Sequence, residues 1–299
     1  LQVPVSSQVL VFSQTSFQAA RIAPRTPRAL YHTPDITIGY VRGGDVLEIM
    51  TYDDDRGTVF YTLDQERVRH PRFDRRGAEC LQCHQTDATL GVPGFFVRSI
   101  VPDRGGRVVF PGPSYLSDHR SPLADRWGGW YVSGTHGKAK HMGNNWVERG
   151  EASNAFDAAK GSNITDLSRF FTPEAYLSPH SDIVSLLVME HQALVANLIS
   201  RVAFQVKLGR KPELDELAAA LRLEGEAALE APVKGTSTFA ADYQKAGPDR
   251  QLDLKTRLFV HRRSPMLHSA AYQALPAEIR AEIEKKVNKP AGTSRASAP

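Results

Sequence analysis

Five consecutive residues, Cys80-Leu81-Gln82-Cys83-His84, constrain this chain more than anything else in it. Two thiols three residues apart can reach two vinyl groups of one porphyrin as thioethers. The histidine that follows then stands beneath the iron as its proximal ligand. The chain has no other cysteine, so no disulfide framework competes for these two. A structural zinc site wants four ligands and normally a second cysteine pair. A thioredoxin-type redox pair wants an apolar strand ahead of it, and here Gly77-Ala78-Glu79 precedes Cys80. The pattern points to one covalent haem c, held by Cys80 and Cys83 with His84 as the proximal iron ligand.

The motif is preceded by 79 residues and followed by 215, which is far more protein than a minimal class I cytochrome c carries. At 299 residues the chain can form one large domain or two ordinary ones. Its formal charge of +4 and pI near 9.0 suit an acidic redox partner protein. No Lys/Arg-rich block resembles a nucleic-acid patch, and nucleic acid is not expected as a partner. The most apolar stretch, 183–206, is broken by Glu190, His191, Gln192, Asn197 and Arg201, so no transmembrane segment is expected. Haem is attached to such cysteines on the outer side of the bacterial membrane. The expected location is therefore periplasmic or otherwise exported, with a signal peptide already removed.

Patterning along the chain gives an α+β class, with a β-meander and hairpins around the haem and a mainly helical C-terminal half. Residues 1–30 read as irregular. Alternation over 36–41, 46–52 and 58–63, with turns at 42–45 and 53–57, predicts the meander. An Arg-rich connection over 67–79 leads into the motif. Residues 95–101 and 108–110 flank a turn at 102–106 and read as another hairpin, and 130–133 reads as a short strand. The region 112–165 is otherwise loop-like. Helices are expected over 181–208, 212–231 and 276–287. The expected organisation is a single haem-binding domain over 1–287, β-rich in 1–135 and helical in 165–287, with a disordered tail over 288–299.

The motif, together with Val92-Pro93-Gly94, Trp130-Tyr131-Val132-Ser133-Gly134-Thr135-His136-Gly137 and His180-Ser181-Asp182-Ile183-Val184, resembles a group of exported bacterial monohaem c-type cytochrome proteins, a largely uncharacterised family. The resemblance spans most of the chain. It implies haem attachment at Cys80 and Cys83 and axial ligation by His84.

The remaining question is the sixth ligand, because methionine, histidine or an open position would each set a different chemistry. His136 stands between glycines that would let backbone approach a porphyrin face, which makes it the first candidate. His191 is the strongest rival. It interrupts an apolar stripe of Val184, Leu187, Val188, Val195, Leu198, Ile199 and Val202, and a buried imidazole needs a partner. His141 and Met142 follow close behind His136. His32, His70, His119, His180 and an open site are weaker possibilities, and His261 and His268 read as surface residues. The leading functional expectation is a periplasmic electron-transfer cytochrome, acting alone or as a subunit of a respiratory or redox complex, and not an enzyme. The alternative is a haem c oxidoreductase acting on peroxide, a nitrogen oxide or a sulfur compound at an open distal site. Arg98, Arg126, His119 and Tyr131 would line that distal pocket or pair with the haem propionates. A third reading is a structural or sensory haem domain. Trp127, Trp130 and Trp146 are expected to pack together over the ring.

Overall fold

The fold was analysed in a computed structural model, which describes residues 1–54 and 56–288. Strands β1 (Val9–Val11), β2 (Arg28–His32), β3 (Ile36–Tyr40), β4 (Val46–Asp53), β5 (Gly57–Asp64) and β6 (Phe73–Arg76) form an antiparallel meander. The protein is thus α+β, with the three strands expected over 36–63 in place. The turn into β5 uses Gly57 at φ +74° with the Phe204 ring against it, a position hostile to any side chain.

The segment 1–30 is not irregular as expected: it supplies β1 and β2, which sit inside the sheet. Val9, Leu10 and Val11 are all buried, because this part of the sheet is covered on both faces. A strand covered on both faces shows no alternation to read. The expected strand over 130–133 shortens to β9 (Trp130–Tyr131), which pairs with β1 and completes the seven-stranded order β6-β5-β4-β3-β2-β1-β9. The expected 95–101/108–110 hairpin changes partner. Its turn forms, and Pro102 bridges Val108, but β7 (Val97–Ile100) pairs with β8 (Ser114–Ser117). Pro111 cannot donate to a ladder there.

One sheet face, with Val9, Val11 and Leu30, packs on helix α2 (Ile183–Lys207). The other, with Leu10, Phe12, Ala29 and Tyr31, packs on Tyr131, Leu167, Phe171 and Tyr176. The core helix expected over 181–208 is therefore present. All eleven residues from 183 to 193 are buried, so the helix is enclosed all round there rather than along one stripe. Its most apolar window has mean hydropathy 1.5 and meets membrane-span criteria by length and composition, yet 89% of it is buried within the protein. Helix α3 (Asp215–Leu221) is much shorter than the expected 212–231, because Leu223 and Gly225 turn the chain at positive φ. Helices α4 (Phe239–Lys245) and α5 (Ala270–Gln273) had no sequence forecast, whereas α6 (Ala277–Val287) matches one. Strands β10 (Gly134–Thr135) and β11 (Lys234–Gly235) pair with each other. Of the tail expected over 288–299, only Asn288 lies within the described residues.

Asp182 fastens this arrangement. It is 1% exposed, caps α2 by accepting from Val184 N at 2.8 Å, and accepts from Thr236 N, Ser237 N and Ser237 Oγ. Asp182→Ala leaves the buried Val184 N–H and the half-buried Thr236 and Ser237 donors unmet. It is expected to cost about 2–4 kcal/mol in urea unfolding. A change under about 0.5 kcal/mol would refute that role.

Candidate haem-attachment site

The edge strand β6 runs through Gly77 into a seven-residue helix, α1 (Ala78–His84), which carries the whole motif. Cys80 and Cys83 are three apart and share a side of the helix, with His84 one turn beyond Cys80. None of the α1 residues is buried by protein; Cys80 is half-covered and Cys83 is exposed. Burial, then Glu79 and Glu48, push the Cys80 thiol up to about 11. A nucleophilic redox cysteine wants the opposite shift.

His84 is held firmly. Its Nδ1 lies 2.8 Å from the Gly94 carbonyl, and Gly94 N donates back to the His84 carbonyl at 2.9 Å. A carbonyl can only accept, so Nδ1 carries the proton and the Nε2 lone pair is left for a ligand bond. Nε2 has no hydrogen-bond partner among the described residues. The next link is Asn197 of α2, which accepts from Phe95 N at 3.2 Å and donates to Phe95 O at 2.8 Å. A Cβ on Gly94 would collide with Asn197 Oδ1, so the residue there must be glycine. The His84 ring lies 5.0 Å from Phe60 and 6.3 Å from Phe96. Burial lowers its basicity, which opposes protonation.

The surroundings suit a porphyrin. Phe60 and Phe96 give apolar surface, and Leu116, 47% exposed, pairs across β7–β8 with exposed Arg98. The Arg98 guanidinium lies 5.5 Å from the Phe96 ring, within reach of the same surface for a propionate. Among the described residues no three His, Cys, Asp or Glu side chains gather as a metal site, so a bare ion has no such cluster to bind.

The distal candidates lie elsewhere, and none shares a hydrogen bond or ring contact with His84. His136 Nε2 accepts from Asn163 N at 3.1 Å, while its Nδ1 is buried and unpartnered. The His141 ring lies tilted 4.7 Å from that of His136, and its Nδ1 accepts from Gly143 N. Met142 packs with Val101 and Val147 and meets Ser99 Oγ at 3.5 Å. His191 has both ring nitrogens engaged, Nδ1 with His119 Nδ1 at 3.1 Å and Nε2 with Ser264 Oγ at 2.6 Å. His191 shares its enclosure with Ser185, Glu190 and Gln192, which are buried on the same helix.

The proposed distal pocket divides. Arg126 bonds the His119 carbonyl and forms an enclosed pair with Glu190 at 2.9 Å, while Arg98 is exposed and Tyr131 bonds Pro24. Burial pushes Glu190 up to about 7 in spite of Arg126. The tryptophans also separate: Trp127 and Trp130 enter the α2 core, and Trp146 packs on Phe12 and Phe170. His70 and His261 are exposed, and His268 pairs with Asp249 at the surface. Sequence reasoning missed the Gly94 carbonyl as the acceptor for His84 Nδ1–H, and Asn197 as the clamp on the adjoining Phe95. The only available signals were a glycine after proline ten residues past His84 and an asparagine inside an apolar helix. Compared with protein-family models, curated proteins and solved structures, the chain matches none of them.

Proposed function

We propose that this chain is a monohaem c-type cytochrome that transfers electrons outside the cytoplasmic membrane. The observation that carries the reading is His84, with Nδ1 tied to the Gly94 carbonyl and Nε2 free, on the helix that presents Cys80 and Cys83. Haem c supplies a one-electron iron couple when bound. Cys80 and Cys83 would hold it by thioethers, and His84 Nε2 would bind its iron. The Gly94 carbonyl fixes the tautomer and raises the ligand's basicity, and Asn197 holds that carbonyl in place. Phe60 and Phe96 keep water from one side of the imidazole.

A second reading is a haem oxidoreductase with an open distal position. It is favoured by the placement of His136, His141, His191 and Met142, each packed among partners of its own. The optical and EPR spectra of the isolated holoprotein decide between them. Low-spin iron that ignores carbon monoxide supports the carrier. His136→Ala and His191→Ala then test the two imidazoles, since removing the true ligand turns the iron high-spin. High-spin iron that binds carbon monoxide in the wild type would sink the carrier reading and leave the oxidoreductase.

A further inference from the structure

We propose that residues 67–76 form a docking surface for an acidic one-electron redox protein, placed beside the exposed Cys83 edge of α1. The electron route rests on the haem c reading; the surface does not. Arg67, Arg69, Arg72, Arg75 and Arg76 stand against the one acid Asp74, a net of +4, which equals the formal charge of the entire chain. The remainder is therefore neutral overall, and the excess positive charge is gathered here. Arg67, Arg69, Arg72 and Arg75 are exposed and make no ion pair among the described residues. Only Arg76 is engaged, with Thr62 at 2.8 Å and Glu79 at 3.8 Å.

Exposed Val68 (47%) and Phe73 (53%) lie between these arginines. Arginine with aromatic and aliphatic surface is the composition of a protein interface core and rim. Arginines on β6, the free edge of the large sheet, also discourage strand-to-strand aggregation. That role explains the charge but not the apolar residues set among it. Nor does it explain why the strip leads through Gly77 straight into the motif helix. Unpaired cations beside an electron exit steer an acidic partner to that exit.

The test uses the full holo chain and labelled poly-L-glutamate as the acidic probe. Binding should weaken steeply between ~0.01 M and ~0.2 M salt, and Arg72→Glu/Arg75→Glu should weaken it by roughly tenfold or more. In the second arm the reduced protein gives one electron to ferricyanide, which becomes ferrocyanide with no bond or proton moved. The rate should fall roughly tenfold in the same variant and rise with the cationic oxidant tris(phenanthroline)cobalt(III). Unchanged poly-glutamate binding overturns the proposal. Lost binding with unchanged oxidation rates overturns it too, because the strip would then lie away from the exit. Phosphatidylglycerol vesicles that bind while poly-glutamate does not would make the surface a membrane contact instead. A protein mass without haem sinks the haem reading alone, and poly-glutamate binding still judges the surface.

Discussion

Acid–acetone extraction is expected to leave the colour on the polypeptide, with one haem per chain and a protein mass raised by the same amount. The Cys80→Ala/Cys83→Ala double variant should lose covalent haem to background, since no other thiol exists to capture it. Each single variant should give a lower holoprotein yield, because one thioether holds the macrocycle less firmly. His84→Ala separates attachment from ligation. It should retain thioether-bound haem and lose the low-spin proximal signature, because both cysteines are untouched while Nε2 is gone. The motif helix gives a readout that does not depend on colour. None of its residues is buried by protein, and a seven-residue helix has little stability of its own. Its amides should exchange freely in the double variant and become protected in the holoprotein. Colour that extracts completely from the wild type would overturn the covalent assignment.

What the sequence made legible depended on how local the signal was. The meander over 36–63 could be read because each strand has one exposed face, so alternation survives. Val9 to Val11 could not, because both faces are covered and the pattern is uniform. The full enclosure of α2 was likewise invisible: a stripe argument singles out His191, whereas Glu190 and Gln192 beside it are equally buried. Their partners, Arg126 and His32, lie 64 and 160 residues away. Such pairs are set by tertiary packing, which periodicity does not encode. The placement of Cys80, Cys83 and His84 on one short helix follows from their spacing, which is local. The support of His84 is only partly local: Gly94 lies ten residues past His84, whereas Asn197 of α2 reaches Phe95 from 102 residues away.

Acid should unfold this protein steeply, and the cause lies in the core rather than at the motif. Burial lowers His32 to about 4, with the Gln192 and Ser185 bonds opposing it. Burial also lowers His119 to about 4, with Asp118 opposing it and Arg120 and Arg126 assisting. Burial, assisted by His136, takes His141 to about 3. Burial, assisted by His119, depresses His191 as well. An unfolded histidine titrates near 6.5. The stability that each neutral, buried imidazole contributes is present above 6.5 and is lost as pH falls toward its folded value. Glu190 has the opposite sign. Its folded value of about 7 lies above 4.5, so its contribution is present in acid and is lost as pH rises toward 7. The lowered imidazoles outnumber the opposing carboxyl here, so unfolding near pH 5 should take up protons on balance and stability should fall with pH. The urea midpoint should therefore fall sharply between pH 7 and pH 5. His32→Gln should flatten the slope by one proton, ~1.4 kcal/mol per pH unit, because glutamine does not titrate. Equal midpoints at the two pH values would show that these histidines are already charged, or solvated, in the folded protein.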